Sequence, residues 1–461
     1  MLKITCISLV VLILAVMGCP ADTHYVSLAG TNNYPYTNWA DAATDITWSV
    51  SAAGANDTVL VTNGTYFTSN RMYSVSALTL QSVNGRDLTF INGASHTDSC
   101  AISSSSTIDG FTITNYNVPT SFGKVTQFRN VRNCRFANNT GGLGGCINYV
   151  YGGVGSITNC IFKNNYSRNV GGGIYASVAG AVYLTVAGCY FEANTSVWSG
   201  GAMDLRVNQC VVSNCVIINN FAGQFGGGIM LAENASTNCI IANCTFTGNV
   251  SLGTATRGLG GAICNIGFNT TIRNCSFIGN IATNKGGAIC GHNNYGAKTI
   301  IQNCLIARNI SLTNAGGGIW TSTGSVENCT IVSNQAAVAA GGLYVDCDAG
   351  QFSGTNNIIY FNTAPDGANF TNTAGNTGLN YSCMIPAVNG TGNITNEPRL
   401  VDLAGGNYRL RINSPCVNAG TNQTWMTNAV DLDGDLRIRY GIVDMGAYEV
   451  IIRRGSIYRT H

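Results

Sequence analysis

The stretch Asn274–Cys290, NCSFIGNIATNKGGAIC, sets the pattern of most of the chain, because close variants of it recur on both sides. Eight copies place a cysteine after Asn or Gly, at an interval of about 28 residues, and continue into a glycine pair and an apolar residue. The cysteines of these copies stand at positions 134, 160, 189, 215, 244, 275, 304 and 329. A ninth copy, Asn356–Asn362, carries Asn357 in the cysteine position. A period of this length is typical of solenoid proteins.

The residue types of each copy favour strands. The segments are short, rich in β-branched and aromatic residues, alternate in polarity, and are separated by Gly and Asn. Such a unit cannot bury its own apolar face, so it must stack on its neighbours as parallel strands about 4.8 Å apart, joined by right-handed crossovers. The sequence therefore predicts an all-β fold, a single-stranded right-handed parallel β-helix.

Comparison of the copies predicts the roles of the two asparagines. The first asparagine of the motif is replaced once, by Gly188, which indicates a backbone position with positive φ. The closing asparagine is kept in all nine copies, so its side chain must matter. An amide stacked on the amide of the next coil can donate and accept in series. We therefore expect an asparagine ladder at positions 139, 165, 194, 220, 249, 280, 309, 334 and 362.

The repeat cysteine shares a strand face with an apolar residue, as Cys275 does with Phe277, which predicts that both point inward. Stacked parallel residues hold their Cβ atoms farther apart than the roughly 3.8 Å that a disulfide prefers, so free thiols are expected. Asn357 is expected to be tolerated in a partly open last coil. Cys383 and Cys416 lie outside the repeats, and an exported context makes them the candidate disulfide, with the free state left open.

The glycine pair predicts a tight turn and a close approach between coils. A phosphate cradle would need a helix after the glycines, and a strand follows instead.

Residues 1–18 have a short basic start and an apolar run that is too short to span a bilayer, which predicts a secretory signal. Its end, VMGC (Val16–Cys19), is similar to a lipobox, so Cys19 is the candidate lipid anchor, and ordinary cleavage nearby stays open. The chain is therefore expected to be exported, to the cell surface or the extracellular space.

The pattern divides the rest into an N-terminal cap with the first coils (23–115), the repeats (116–364), a C-terminal cap module (365–450) and a tail (451–461). Near the start, an apolar stripe at helical spacing predicts a helix that covers the first coil before a strand at Thr58–Val61. The stripe consists of Trp39, Ala43, Ile46, Val50 and Ala53.

Two sets of motifs resemble known families. FIGN (Phe277–Asn280) and GGAI (Gly286–Ile289) resemble the repeats of the polymorphic outer membrane proteins. NYRLRINSPCVNAG (Asn407–Gly420) and VDMGAYE (Val443–Glu449) resemble the choice-of-anchor Q module of secreted bacterial right-handed β-helix proteins. The resemblance implies a pectate-lyase-like β-helix displayed at the cell outer membrane or outside the cell, as adhesins are.

Acidic residues are scarce along the repeats. Polysaccharide lyases and glycoside hydrolases need clustered carboxylates or a base, and residues 111–340 contain only Glu192, Asp204, Glu233 and Glu327 as acids. An enzyme of this fold would have to use the residues that follow the glycine pairs, if the strand register brings them together. These residues are Asp204, Arg206, His292 and Asp346.

The favoured interpretation is therefore surface adhesion or glycan binding without catalysis, with Tyr175 and Trp320 as the sugar-stacking residues if they point outward. A polysaccharide lyase or hydrolase and a passive surface stalk are the alternatives.

No cofactor is predicted, and no copy offers two ligands at zinc spacing. DLDGDL (Asp431–Leu436) is similar to a calcium loop but lacks the later glutamate of an EF-hand, so a turn is the preferred interpretation over a calcium site. The net charge of +2 implies no nucleic acid partner, and a membrane is expected to be contacted only through the lipid anchor.

Overall fold

The computed structural model describes residues 21–451, apart from 68–71, 74–76, 95–100, 103–104, 119, 121–124, 127, 150–152, 178–181, 233–237, 255, 268, 293–297, 348–350 and 376–377. Short strands of successive coils pair in parallel and in register into four long sheets, numbered here in the order in which one coil visits them. Each of the eight coils between Asn130 and Val345 contributes one strand to each sheet, and the chain is a right-handed parallel β-helix, as predicted.

The first sheet contains Thr23–Val26, Thr58–Val61, Thr79–Ser82, Thr107–Asp109, Asn130–Arg132, Gly153–Thr158, Val182–Ala187, Gln209–Ser213, Cys239–Ala242, Thr270–Arg273, Thr299–Gln302, Gly324–Glu327, Phe352–Thr355 and Leu379–Asn380. The second sheet contains Gly64–Phe67, Thr89–Asn92, Thr112–Thr114, Arg135–Ala137, Ile161–Lys163, Tyr190–Glu192, Val216–Ile218, Thr245–Thr247, Ser276–Ile278, Leu305–Ala307, Thr330–Val332, Ile358–Tyr360 and Cys383–Met384.

The third sheet contains Thr140–Gly141, Tyr166–Ser167, Thr195–Ser196, Phe221–Ala222, Val250–Ser251, Ile281–Ala282, Ile310–Ser311 and Gln335–Ala336. The fourth sheet contains Ile147–Tyr149, Ile174–Ser177, Met203–Arg206, Ile229–Leu231, Ile263–Ile266, Ile289–His292, Ile319–Thr321, Leu343–Val345 and Phe370–Asn372. Outside these sheets, Met72–Tyr73 pairs with Ala101–Ile102 in parallel, Leu400–Asp402 pairs with Asn407–Leu410 in antiparallel, and the helices are Ile46–Ala52 and the 3-10 turn Thr424–Met426.

The core consists of columns of like side chains. All eight repeat cysteines are buried free thiols, which confirms the inward prediction. The phenylalanines two residues later stack face to face, with ring centroids 4.7 Å apart for Phe246 and Phe277. The Cys275 thiol also donates to the carbonyl of Arg273 at 3.1 Å, so the position offers a hydrogen-bond acceptor within its own coil.

The asparagine ladder is confirmed. Nδ2 of each closing asparagine donates to Oδ1 of the closing asparagine one coil further on, at 2.8 to 3.2 Å, and Asn369 continues the series after Asn362. The same amide group also donates to a carbonyl of the preceding coil, as Asn249 does to Ile217 at 2.8 Å. Every rung therefore satisfies backbone groups that the core would leave unpaired.

The first asparagine of the motif has a positive φ in every copy, for example 54° at Asn274, and Gly188 has 62°, as expected. A second left-handed position, one residue before the closing asparagine, was not predicted. Residues of several types occupy it, including Ala193, Arg308 and Phe361.

Asn357 does not lie in an open coil, and that expectation is wrong. Its side chain is fully buried, Nδ2 donates to the carbonyl of Val326 at 2.8 Å, and Oδ1 accepts from the backbone N–H of Cys329 at 3.0 Å. An amide replaces a thiol there because both of its ends find backbone partners.

The glycine pair provides a left-handed turn followed by a close approach. Gly260 has a φ of 64°, and a Cβ on Gly261 would lie 2.1 Å from the carbonyl oxygen of Gly287 in the next coil. In the eighth copy the predicted pair is offset by one residue. Leu343 is in register with Ile319, so Ala340, with a φ of 47°, occupies the turn position.

The predicted N-terminal helix is present but short. Asp45 caps it by accepting from the backbone N–H of Thr47 at 2.7 Å, and Ile46 and Val50 are buried. Trp39 precedes the helix and is exposed, because the segment that contains it lies along the first strand instead, with the N–H of Ser27 donating to Ala43 at 2.9 Å.

The C-terminal segment lies along the outer face of the second sheet. Leu305, Val332 and Ile358 point outward there and pack against Leu410 and Met445. Cys383 and Cys416 are both buried in this interface as free thiols, so the candidate disulfide is not formed. A hydrogen bond with Cys416 and burial raise the pKa of the Cys383 thiol.

Candidate functional site

A cavity of about 590 Å³ lies on the outer face of the fourth sheet, between its strands and the turns that lead into them. A second cavity of about 280 Å³ shares Leu259 and His292 with the first, so the two adjoin along the same side of the solenoid and are together called here the side cleft. The side cleft is lined by Asn169, Val170, Trp198, Ser199, Arg206, Gln224, Phe225, Met230, Ala232, Thr256, Leu259, Ile266, Asn284, Lys285, His292 and Asn314.

Beneath the cleft lie the residues that follow each inward-pointing apolar residue of the fourth sheet, and one of them, Met230, lines the cleft itself. Strand register places these in one column, which runs from Asn148 through Tyr175, Asp204, Met230, Cys264 and Cys290 to Trp320. They are all buried, and the four from Met230 to Trp320 pack with turn residues such as Leu259 and Ala315 in an apolar cluster separate from the core.

Asp204 is fully buried in this column and is paired on both oxygens. Ser199 Oγ donates to Oδ2, and Arg206 donates from Nε to Oδ1 at 2.8 Å and from Nη2 to Oδ2 at 3.2 Å. The Arg206 guanidinium also lies 5.6 Å from the centroid of the Tyr175 ring. The carboxylate is therefore neutralised and shielded from solvent by its own neighbours.

The predicted catalytic strip is only partly assembled. Extension of the strand register places Arg206, His292 and Asp346 at equivalent positions of their coils, and Arg206 and His292 line the same cavity. Asp346 is exposed two coils beyond His292, outside the lining of the cleft, with its Oδ1 3.5 Å from Thr373 Oγ1. The four residues thus do not meet at one point.

The predicted sugar-stacking rings are not exposed. Tyr175 is 9% exposed and Trp320 is 2% exposed, so the expectation that they point into solvent is wrong. Trp320 stacks on His292, with ring centroids 5.3 Å apart, and Lys285 Nζ lies 4.1 Å from the Trp320 centroid. The alternating pattern identified the outward face but not the turns that cover it.

Sequence reasoning missed Trp198. This residue is 46% exposed, lines the cleft, and precedes the glycine pair in the turn WSGGAM (Trp198–Met203). The guanidinium of Arg257 lies 5.9 Å from its ring centroid, and Arg257 Nη1 donates to Gln224 Oε1 at 2.7 Å. A large aromatic residue in an otherwise polar turn was the signal that could have identified it.

The other acids of the repeats lie elsewhere. Glu192 pairs with Lys163 at 2.9 Å, Glu327 accepts from Gln302 at 2.9 Å, and Glu233 lies outside the described residues. Within the described part of the chain, no group of three or more His, Cys, Asp or Glu residues is arranged to hold a metal ion.

The acidic loop DLDGDL forms a turn. Asp431 Oδ1 accepts from the backbone N–H groups of Asp433 and Asp435, both at 2.9 Å, and Asp433 pairs with Arg409. The carboxylates of Asp431 and Asp433 therefore have partners within the protein.

The signal segment 1–18 and Cys19 lie outside the described residues, as does nearly all of the tail, so both stay predictions. Among the described helices, none is long and apolar enough to cross a membrane.

Comparison with known proteins bears on the fold. The model of the right handed beta helix region family matches residues 130–283, and no curated protein matches the chain. Similar solved structures include pectate lyase Pel9A, at 15% identity and a TM-score of 0.46, covering 93% of this chain and 97% of that one. Others are the catalytic unit of a GH87 alpha-1,3-glucanase from Streptomyces thermodiastaticus strain HF3-3 (14%, TM-score 0.41, 71% and 66%) and a rhamnogalacturonan lyase (12%, TM-score 0.31, 90% and 95%).

The two finer resemblances, to the polymorphic outer membrane protein repeats and to the choice-of-anchor Q module, stay predictions. The sheet topology and the match of the family model together identify the chain as an all-β protein of the right-handed parallel β-helix fold.

Proposed function

We propose that this chain is an exported surface protein that binds a glycan in the side cleft without cleaving it. The observation that carries the proposal is Trp198, a half-exposed ring on the wall of a cavity of about 590 Å³. The amide side chains of Gln224 and Asn169 line the same cavity. An aromatic surface beside amide donors and acceptors suits a sugar ring, which has one apolar face and a rim of hydroxyls.

The state of the acidic residues supports the proposal that the bound glycan is not cleaved. Hydrolysis needs two carboxylates on opposite sides of a glycosidic bond, and elimination needs an available base. Among the described residues, no Asp or Glu lines the cleft, and the nearby Asp204 is fully buried with both oxygens bonded to Arg206 and Ser199. A binding role does not require a free carboxylate at Asp204.

The test is a panel of poly- and oligosaccharides scored for binding with the wild-type protein, Trp198→Ala and Trp48→Ala. Trp48 is a matched control, because it is also 46% exposed but lies on the N-terminal helix, away from the cleft. We expect Trp198→Ala to weaken binding by about tenfold or more with thermal unfolding nearly unchanged, as for loss of an aromatic contact, and Trp48→Ala to have no effect. Binding that is indifferent to Trp198→Ala would contradict the use of this cleft.

The alternative is a lyase or hydrolase, and one observation favours testing it. Arg206 and His292 line the same cavity, with Asp204 directly behind Arg206. We expect no product from any bound glycan, with or without calcium. Product formation that is lost in Asp204→Asn or His292→Gln would change the proposal from a binding protein to an enzyme. A passive stalk predicts that no glycan binds at all.

Export and anchoring are part of the proposal and rest on the sequence of the N-terminal segment. Labelling with a fatty-acid analogue is expected to mark the protein, and Cys19→Ser is expected to abolish the label. Recovery of an unlipidated wild-type chain in the medium would leave secretion without an anchor.

A further inference from the structure

We infer that the ligand of the side cleft is a linear, anionic glycan that lies along the solenoid axis. The inference rests on the proposed function, because it specifies the ligand of the same cleft. It depends on two independent features, the length of the cleft and the charges along its wall.

The cleft crosses six successive coils. Its wall is formed by equivalent turns, and backbone hydrogen bonds join each turn to the next, as from Trp198 to Asn169 at 2.9 Å and from Leu259 to Gln224 at 3.1 Å. The series runs through Asn169, Trp198, Gln224, Leu259, Lys285 and Asn314. Five strand spacings of roughly 4.8 Å give a length of about 24 Å along the axis. A depression of this length suits several sugar units in a row rather than a single sugar.

The wall carries an excess of positive charge. Arg257 is exposed beside Trp198, and Lys285 lies half-buried over Trp320. Within the described part of the chain, neither cation forms an ion pair with a carboxylate. Arg206 and Asp204 neutralise each other. A concave site with unneutralised cations of one sign concentrates anionic ligands.

The geometry of the two cations suits recognition of a carboxylate or a sulfate. Each lies over the face of a tryptophan, at 5.9 Å for Arg257 and 4.1 Å for Lys285, so the ring restricts the side chain without using its N–H donors. Arg257 uses one N–H on Gln224, which leaves others for an anion. Charge-assisted hydrogen bonds from such positions are stronger than those between neutral groups.

The experiment compares three oligosaccharide series of equal lengths, from monosaccharide to hexasaccharide. The probes are oligogalacturonates for the carboxylate, sulfated galactan oligosaccharides for the sulfate, and neutral galactan oligosaccharides as the uncharged reference. Calorimetry at low and at high salt is expected to show that one or both anionic series bind, that affinity rises with length, and that salt weakens it. The tighter of the two anionic series identifies the charged group.

The variants are Arg257→Gln and Lys285→Gln, with Arg273→Gln as the matched control. Arg273 is an exposed cation on the first sheet, away from the cleft, so its removal changes the net charge equally. Each cleft variant is expected to weaken anionic binding by about fivefold, the effect of losing one exposed charge contact, and the control is expected to leave it unchanged.

Other results would separate the two proposals. Neutral oligosaccharides that bind as tightly as anionic ones, with no effect of Arg257→Gln or Lys285→Gln, would overturn the anionic inference and leave the proposed function intact. An equal loss in Arg273→Gln would also overturn it, because the whole surface and not the cleft would then attract the ligand. Failure of all three series while the broader panel shows a bound neutral glycan would overturn the inference alone, whereas failure of the whole panel to bind would overturn the proposed function, and the inference with it.

Discussion

At the scale of single residues, two asparagines of one motif have different physical tasks. Asn243 is the first residue of a copy and has a φ of 55°. Because its side chain is exposed, the backbone conformation is the property that the position requires. Asn249 closes the same copy, is fully buried, and has both ends of its amide bonded to neighbouring coils. Glycine could perform the first task and only an amide the second.

Replacement of one closing asparagine of the ladder should therefore lower the free energy of unfolding far more than replacement of the first asparagine of a copy. Asn249→Ala removes the acceptor of the backbone N–H and Nδ2 of Asn220, at 3.1 and 3.0 Å, and one donor to the carbonyl of Ile217. We expect a cost of about 3 kcal/mol in the free energy of unfolding, measured by urea denaturation. Asn243→Gly is the control, with an expected change of less than about 0.5 kcal/mol. Equal costs would contradict the ladder.

Comparison of the copies within this chain predicted the roles of both asparagines. The first position requires a positive φ and the closing position requires an amide, and each requirement excludes most residue types. The second left-handed position could not be predicted in this way. Ala193, Arg308 and Phe361 adopt a positive φ there because the flanking strands fix the corner on both sides, so residue type carries little information about it.

At the scale of the coil, the glycine pair sets how closely neighbouring turns approach. The first glycine adopts a left-handed conformation, and the second faces the backbone of the next coil at a distance that no side chain fits. The strand that follows is thereby aligned with its neighbour, which places the cleft residues in columns.

Two glycine substitutions distinguish the stability cost of a close backbone approach from the cost of a left-handed backbone conformation. A Cβ on Gly261 would lie 2.1 Å from the carbonyl oxygen of Gly287, whereas a Cβ on Gly279, with a φ of 65°, would meet nothing within 4 Å. Gly261→Ala is expected to cost more than about 3 kcal/mol because two backbones must separate. Gly279→Ala should cost about 1 kcal/mol, the price of a left-handed alanine. Thermal and urea unfolding of both variants measure the difference, and a similar cost for both would exclude close approach as the reason for the pair.

The sequence predicted the columns of the fourth sheet but not their exposure. Period-two alternation indicates which residues leave the core, and Arg206 and His292 do share a cavity. Whether an outward ring meets solvent depends on turns of other coils, which cover Trp320 and leave Trp198 half-exposed. The turns that cover a ring come from other coils, so no local sequence pattern predicts whether the ring is buried.

At the scale of the whole molecule, the C-terminal segment runs back along the flank of the solenoid. Its docking is specified by polar contacts with the first asparagines of the last copies, as Asn303 Nδ2 donates to the carbonyl of Val430 at 2.9 Å. Arg437 reaches the same asparagine with Nη1, at 3.2 Å. The sequence indicated a separate C-terminal module, but this flank contact joins residues more than a hundred positions apart and had no signature in either segment alone.

A buried ionic cluster at this interface should make its stability depend on pH. Arg437 is fully buried, with Nη2 3.0 Å from Glu449 Oε1. Burial is the largest influence on Glu449 and raises its pKa from 4.5 to about 8, and burial also raises the pKa values of the neighbouring Asp431 and Asp444. The folded state therefore holds a proton on Glu449 that the unfolded state releases over this interval.

The sign follows from proton uptake. Between pH 4.5 and about 8 the folded protein binds more protons than the unfolded chain at Glu449, so its stability is greatest at the acid end and falls as the pH rises. We expect the Tm to fall across this interval in scanning calorimetry, and Glu449→Gln, which cannot titrate, to flatten the slope. Asp433→Asn, which removes a partly exposed ion pair with Arg409 nearby, is the control and should keep the slope. A Tm that does not fall over this interval in the wild type, or that falls equally in Glu449→Gln, would contradict a raised pKa of Glu449 in the folded state.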